Sequence, residues 1–341
     1  MSADKQAEIE SREKDIFAAI EAKNLNELKR QLDALAQLGV KTLSTLDFSG
    51  AMPLIAAAKN GFVPALRLLV DWCEIDETDL NGRTALMHCA SSGDLEGVEF
   101  LAERSDTNAR NNEGFAAVHC AAKAGHLEIV RFFAGRGPLH KTRSVRDTVL
   151  CVAAKNGHLE CVRFLAQIGD PEEENGHGYT ALAGAIEGDH PGVAAFLSTI
   201  SPSLGLPFAP LSRSRLAWHA ISRQAPSCLR MFLPDIDWIE EDKAGKNLWE
   251  FGLMFSKFGF FIASSAENEG RAQVCLDILQ ASVPLEIGRA AVARHGAKAF
   301  PLLFARLEAE VFAQTVAVAA SAQEPSSESS PPNAILSRMR L

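Results

Sequence analysis

The 341-residue sequence predicts an all-α solenoid, in which short two-helix repeats are stacked in a row. The first observation is the segment 119–133, which has a helix of small residues, a Gly-His break and a second helix with apolar residues at Leu127, Val130 and Phe133. The second is that segments of the same build lie thirty-two residues away on both sides, at 84–101 and 149–165. A fixed period of this size indicates stacked repeats rather than one globular core.

Each repeat is expected to begin with a tight turn. A glycine recurs at one position, interrupted by Arg146, in the series Gly50, Gly82, Gly114 and Gly178. Glycine suits such a turn because it adopts positive φ without a steric penalty. Thr84, Thr148 and Thr180 follow two residues later, where a first helix needs an N-cap, and Pro53 suits the first helical position.

The two helices of a repeat carry different residues. Alanine pairs, such as those at 121–122 and 153–154, allow the first helices to approach their neighbours closely. The second helices carry two adjacent apolar columns, which we expect to fill the space between repeats: Leu68, Phe100, Phe132, Phe164 and Phe196, then Leu69, Leu101, Phe133, Leu165 and Leu197. No repeat could bury its apolar face alone, so the stack shares one core.

The recurring residues of the turns and of both helices form a longer pattern, Asp-x-x-Gly-x-Thr-Pro-Leu-His-x-Ala-Ala-x-x-Gly-His-x-x-Ile-Val-x-x-Leu-Leu. It is carried by residues 79–101, 111–133, 144–165 and 176–197, and more loosely by 47–69. This pattern resembles the ankyrin repeat, which implies an ankyrin-repeat α-solenoid with projecting turns. Departures include Asp189 in place of a glycine, first-helix histidine kept only as His119, and a period of 32 rather than about 33. They weaken individual turns without changing the predicted fold.

The resemblance also divides the chain. We expect a flexible N-terminus over 1–14 and an N-terminal capping helical repeat over 15–46, with Asp15 capping its first helix. Five ankyrin repeats follow, over 47–78, 79–110, 111–142, 143–174 and 175–201. Residues 202–319 are degenerate ankyrin-like repeats or a separate helical region, and we favour repeats that continue to about residue 319. A disordered tail is expected over 320–341, because its start is rich in Ser and Pro.

Composition limits the classes of partner and compartment. The net charge is −9, from 34 Lys and Arg against 43 Asp and Glu, which argues against nucleic-acid binding. Seven cysteines at repeat positions are expected to be reduced thiols. The N-terminus lacks a signal-peptide core, and no apolar run is long enough for a membrane span. We therefore expect a cytoplasmic protein, with export by a route independent of a signal peptide left open.

For each candidate catalytic or metal-binding residue, a packing role explains the sequence better. The pairs His88-Cys89 and His119-Cys120 invite a metal or thiol interpretation, but short ligand spacings are missing and the cysteine positions suit packing. His126, His158 and His190 recur at the break between helices, where a structural role is expected. Nucleotide-binding loops are absent. We predict no cofactor, no metal and no enzymatic activity. The aromatic stretch 249–262 is interpreted as a core helix.

Partner contacts are assigned from the resemblance. Ankyrin stacks contact their partners through repeat positions whose residue differs from one repeat to the next. These positions lie at the turns and at the ends of the first helices. Those positions are Phe48, Lys59, Arg83, Ser91, Asn112, Glu113, Phe115, Lys123, Asp147, Lys155, Asn156, His177 and Tyr179. Phe115 and Tyr179 near arginines resemble the composition of interface hot spots. Leu80 and Val145 are expected only to fill gaps between turns.

Three functions remain open from the sequence. The favoured one is a non-enzymatic scaffold that binds a partner protein on the concave ankyrin face. The second is an inhibitor, an immunity-type binder or an exported effector that acts through residues 202–319. The third is an enzyme with an unrecognised catalytic module in the same region. Neither the partner's identity nor the oligomeric state follows from the sequence.

Overall fold

The computed structural model describes residues 3–43, 46–47, 50–137, 139, 147–201, 213–234, 236, 266–284, 289 and 301–322. Within these ranges there are sixteen helices and no strand. The chain divides into two compact units, which we call the N-terminal unit (residues 1–237) and the C-terminal unit (238–341). None of the described helices is both long and apolar enough to cross a membrane.

Helices α1 to α14 form the N-terminal unit. Their bounds are Ala3–Glu21, Leu25–Gln37, Pro53–Lys59, Val63–Leu69, Ala85–Ser92, Leu95–Ala102, Ala117–Ala124, Leu127–Arg136, Val149–Lys155, Leu159–Ile168, Ala181–Glu187, Pro191–Ile200, Arg213–Ser222 and Pro226–Phe232. Each odd-numbered helix packs against the even-numbered helix that follows it and against the odd-numbered helix of the next pair. The even-numbered helices also contact one another in sequence, so the pairs form two layers of an α-solenoid.

Every pair breaks in the same way. A residue with positive φ directly precedes the N-cap of the second helix, in the series Lys23, Gly61, Gly93, Gly125, Gly157, Asp189 and Gln224. Glycine meets this requirement in four pairs, because it adopts the left-handed region readily. The pairs α1–α2 and α13–α14 therefore share the break of the repeats between them.

The packing of the two layers partly differs from expectation. The alanine pairs of the first helices are fully buried, as is the column of Leu69, Leu101, Phe133, Leu165 and Leu197. The adjacent column also lies at the junctions between repeats, but it is partly exposed rather than buried. Each of its residues precedes a buried one by about 100° around the helix and so faces outward. Arginines cover the rings instead, with Arg131 4.7 Å from the Phe164 centroid and Arg163 4.9 Å from that of Phe196.

The start of the chain also differs from expectation. Helix α1 begins at Ala3, so the flexible segment predicted over 1–14 and the N-cap predicted at Asp15 are wrong. Glu8 and Arg12 form an ion pair one helical turn apart, at 2.8 Å. Ile9 is buried, and Arg12 Nη1 donates to Gln31 Oε1 of α2 at 3.2 Å. The first half of α1 is thus held against α2 by apolar and polar contacts.

The C-terminal unit contains two long helices, α15 (Ala266–Ser282) and α16 (Pro301–Ala322). They pack together, and Gln280 Oε1 accepts from the Leu302 N–H at 3.1 Å. They have 17 and 22 residues, whereas α3 to α12 have 7 to 10. These lengths favour a separate helical region over repeats that continue to about residue 319. The aromatic stretch 249–262 and the tail from 323 onward lie outside the described residues.

Candidate protein-binding surface

The turns before the first helices are closed by a side-chain oxygen. Asp79 Oδ1 accepts from the N–H groups of Asn81 and Arg83 at 2.9 and 3.0 Å. Asn111 and Asn175 do the same in later repeats, the latter holding the Tyr179 N–H at 3.0 Å. We call the surface made by these turns and by the C-terminal ends of the odd-numbered helices the inner surface. Its turn backbone is fixed before any partner arrives.

Neighbouring turns are joined by hydrogen bonds. The Asn112 N–H donates to the Asn81 carbonyl at 3.0 Å, and Asn112 Nδ2 donates to the Leu80 carbonyl at 3.1 Å. Asn175 Nδ2 donates to Asp147 Oδ1 at 2.8 Å. Asn112 and Asp147, both predicted as partner contacts, therefore hold successive repeats together.

The structure brings three predicted contact residues together around one aromatic ring. Phe115 is partly exposed, and its ring is parallel to that of His119 at a centroid distance of 5.6 Å. Lys123 Nζ lies 5.5 Å from the Phe115 centroid and 3.2 Å from Glu113 Oε2. The ring is therefore supported from within the repeat and is bordered by an exposed ion pair.

His119 fixes the turn beneath Phe115. It is fully buried, and its Nδ1 accepts from the Ala116 N–H at 3.3 Å. Burial lowers the pKa of His119 to about 4; the charge of Arg110 acts in the same direction, and the Asp147 carbonyl opposes it. A neutral ring suits this acceptor role, so His119 hydrogen-bonds the turn as the resemblance implies.

A second aromatic ring occupies the equivalent position two repeats later. The guanidinium of Arg223, just after α13, lies 5.2 Å from the Tyr179 centroid, and the His219 ring lies at 6.3 Å. On the same surface, Lys155 Nζ is 3.0 Å from Glu187 Oε1. Phe115 and Tyr179 thus both lie on the inner surface beside a cation.

The sequence matches the family described as Ankyrin repeats (3 copies) over residues 16–111, 54–144 and 118–204, together more than half of the chain. This chain belongs to the ankyrin-repeat family. The predicted resemblance and the all-α solenoid fold are confirmed. No curated protein matches the sequence. Ankyrin repeats are generally modules of protein–protein interaction and are typically not catalytic.

The histidine and cysteine pairs take structural positions in this ankyrin stack. His88 Nε2 lies 2.9 Å from Asp79 Oδ2, and Lys59 Nζ lies 3.9 Å from the same oxygen. Burial opposes ionisation of Asp79, but hydrogen bonds from Arg83, His88 and Asn81 lower its pKa below the ordinary value. The Asp79–His88 pair could not be predicted from the repeat pattern, because the turn brings together residues nine positions apart.

Neither metal binding nor thiol chemistry gains support from the described residues. Among them, no group of three or more His, Cys, Asp or Glu side chains could hold a metal ion. All seven cysteines are buried and free. Burial raises the pKa of Cys89 and Cys151 to about 12 and also raises that of Cys228 well above its ordinary value. Thiolates are therefore disfavoured at these positions.

Other predicted contacts serve the ankyrin stack through their backbone or amide groups. The Ser91 carbonyl accepts from His126 Nε2 at 3.1 Å, and the Lys123 carbonyl accepts from His158 Nε2 at 2.9 Å. Asn156 Nδ2 donates to the Val152 carbonyl at 2.8 Å, at the end of α9. His177 is exposed at its turn, and Phe48 and Val145 lie outside the described residues.

Leu80 lies on the inner surface, at the tip of its turn. It is 76% exposed, the largest fraction among the large hydrophobic side chains that the structure describes. Its side chain also packs against the turn of the preceding repeat, since a Cβ built on Gly50 would lie 2.8 Å from Leu80 Cγ. Leu80 therefore fills the gap between two turns, as predicted, and in addition leaves a large apolar surface exposed. Its place at a turn tip, where ankyrin repeats vary, was the signal that it faces outward.

Proposed function

We propose that this ankyrin-repeat protein is a non-enzymatic cytoplasmic scaffold that binds a partner protein on its inner surface. The observation that carries the proposal is the pair of partly exposed rings, Phe115 and Tyr179, each beside a cation at an equivalent turn. Aromatic side chains and arginine are common anchors of protein interfaces. Because hydrogen bonds already fix the turns, binding needs little ordering of the surface. The buried free cysteines support a reducing compartment.

The remaining inner-surface residues divide by role in this proposal. We assign direct contacts to Lys59, Leu80, Arg83, Glu113, Lys123, Lys155 and His177. Asn112, Asp147 and Asn156 instead maintain the shape of the surface through their hydrogen bonds. Ser91 accepts a hydrogen bond through its carbonyl, and its side chain is partly exposed near the contact residues.

The test is a double substitution, Phe115→Ala with Tyr179→Ala, in the full chain. The matched control is Phe100→Ala with Phe196→Ala, since these rings are also partly exposed beside arginines but belong to the second helices. Partners are captured from native lysate and quantified by mass spectrometry. We expect the inner-surface variant to lose capture by about tenfold or more, while the control retains it. Equal capture by both variants would remove the site assignment.

A second candidate function rests on the C-terminal unit. Helix α16 exposes Val311 and Phe312 by 53% and 72%, and exposed apolar side chains are typical of contact surfaces. In this case the repeats position the protein, and the C-terminal region acts as an inhibitor, an immunity-type binder or an effector. Truncation after residue 237 separates the two candidates, because it removes the C-terminal unit.

A further inference from the structure

One part of the inner surface combines exposed apolar side chains with cations. We call it the Leu80 patch and define it as Lys59, Leu80, Arg83, Phe115 and Lys123. Asn112 joins the two turns that carry it, through its bonds to the Leu80 and Asn81 carbonyls. Burial raises the pKa of the Cys120 thiol in α7, and the nearby charge of Arg83 opposes that rise. Asn112 thus holds the turns at residues 79 and 111 together, and Arg83 lies near the second repeat.

The patch is richer in cations than the acidic chain as a whole. The chain carries a net charge of −9, whereas the patch holds three cations, Lys59, Arg83 and Lys123. Two carboxylates lie against it. The Asp79 side chain is 4% exposed and already accepts from two backbone N–H groups and His88. Glu113 is 57% exposed and pairs with Lys123.

We propose that the Leu80 patch, as the anchor of the inner-surface contact proposed above, binds an acidic protein segment that carries an apolar side chain. The apolar side chain packs on Leu80 and Phe115, which are the hydrophobic members of the patch. Carboxylates of the segment accept from Arg83 and Lys123. An exposed ion pair such as Lys123–Glu113 contributes little to stability, so Lys123 can exchange Glu113 for a carboxylate of the partner. Arginine holds carboxylates in a two-point geometry.

A protein segment fits these features better than a nucleic acid does. Single-stranded nucleic acids need a positive groove that follows several phosphates. The patch offers three cations and an exposed leucine, and the Glu113 carboxylate lies at its border. Short acidic peptides match both the apolar centre and the small number of charges.

The experiment selects binders from a displayed library of random dodecapeptides on the folded full chain. The selected peptides are then synthesised and titrated by fluorescence anisotropy. We expect them to be acidic around a Leu, Phe or Trp, and their Kd to weaken as salt rises from about 0.01 M to about 0.15 M. Arg83→Glu with Lys123→Glu should weaken binding about tenfold or more. Arg131→Glu with Arg163→Glu, which reverses two exposed arginines on the second helices, should leave Kd within about twofold.

Several results would overturn the inference. One is a selection that returns no peptide, or only neutral or basic peptides. Another is that the patch variant binds the selected peptides with an unchanged Kd. A third is a single-stranded oligothymidylate that binds the chain as tightly as the peptides do. If circular dichroism shows that the Glu variant misfolds, the variant Arg83→Gln with Lys123→Gln replaces it. Its Kd for the selected peptides is judged in the same way.

The acidic-segment proposal can be wrong while the proposed function is right. That is the outcome if no acidic peptide binds but the Phe115→Ala, Tyr179→Ala variant still loses its native partner. Intact capture by that variant removes the assignment of binding to the inner surface, on which both proposals rest.

Discussion

The glycines at 93, 125 and 157, between the two helices of their repeats, meet two requirements, one from their own backbone and one from a neighbouring ring. Gly93 has a φ of 82°, which favours glycine, and the ring of His126 from the next repeat packs directly against it. That ring is held by its hydrogen bond to the Ser91 carbonyl at 3.1 Å. A Cβ on Gly93 would lie 2.7 Å from the ring. The glycine is required both by its own backbone and by its neighbour.

Two glycine substitutions separate these requirements. Gly61 has a φ of 59°, but a Cβ there would meet nothing within 4 Å, so Gly61→Ala should lower the free energy of unfolding by about 1 kcal/mol. Gly93→Ala should lower it by a further 1–2 kcal/mol or so, because the His126 ring must move. Urea denaturation measures both changes. Equal losses would show that the ring packing contributes nothing.

Stability should also depend on pH through His119. Its pKa is about 4 in the fold and about 6.5 in the unfolded chain, so the unfolded state binds more protons between these values. The contribution is fully present above about pH 6.5 and falls as the pH is lowered. Between about pH 7.5 and pH 5 we expect a loss of about 2 kcal/mol from this residue.

The measurement compares urea denaturation of the wild type and His119→Asn across that pH range. The variant is less stable at neutral pH but should show a shallower dependence on pH. His177→Asn is the control, because that ring is exposed at a turn. Identical pH slopes for the wild type and His119→Asn would contradict the assignment.

At the scale of helices, Asp189 links two repeats. It replaces the usual glycine at the break between α11 and α12, with a φ of 58°. Its Oδ1 accepts from the Ser227 and Cys228 N–H groups at 2.9 Å each, at the start of α14. The departure from the ankyrin pattern thus supplies a cap to the next pair of helices rather than only weakening a turn.

Asp189→Gly tests this role, because it relieves the positive φ while removing the cap. We expect the amides of α14 to exchange faster, with a loss of about 1 kcal/mol in their protection. Asp189→Asn keeps an acceptor oxygen and should exchange nearly as the wild type does. Hydrogen exchange read by mass spectrometry resolves α14 from the other helices. Slower exchange in the glycine variant would mean that backbone strain outweighs the cap.

At the scale of the whole molecule, the division into two compact units suggests a truncation. Residues 1–237 contain all fourteen helices of the N-terminal unit, so this fragment should fold alone with a cooperative melt. If the inner surface carries the function, the fragment should also retain capture of the native partner. Loss of capture by a well-folded fragment would favour the C-terminal unit.

The repeats were predictable because the same residue types recur every thirty-two positions. Which side of a helix is buried, and which side chains pair across repeats, could not be predicted in the same way. Two adjacent columns were apolar, and the pattern alone did not say which one faced outward. The sign was an arginine that recurs one repeat and one residue before a phenylalanine, at Arg67, Arg131 and Arg163. Each of these arginines covers the ring of the next repeat, so the phenylalanine column is the one that faces outward. The early start of α1 was missed because its residues are polar, although Glu, Lys and Ala favour helices.

The candidate site was predictable only in outline. Repeat phase placed Phe115 and Tyr179 at equivalent turns, and the structure agrees. It could not show that Asn112 would bridge two turns or that Leu80 would remain largely exposed. Both depend on the offset between neighbouring repeats, which a single sequence does not reveal.

Three histidines, His126, His158 and His190, each pack against the glycine of the preceding break, at Gly93, Gly125 and Gly157. Residues 125–156 contain both Gly125 and His126, so a second copy of this segment in the same place would supply a glycine for the ring that follows and a ring for the glycine that precedes. The central part of the stack, and with it the surface offered to a partner, can therefore grow by a thirty-two-residue unit without loss of these contacts.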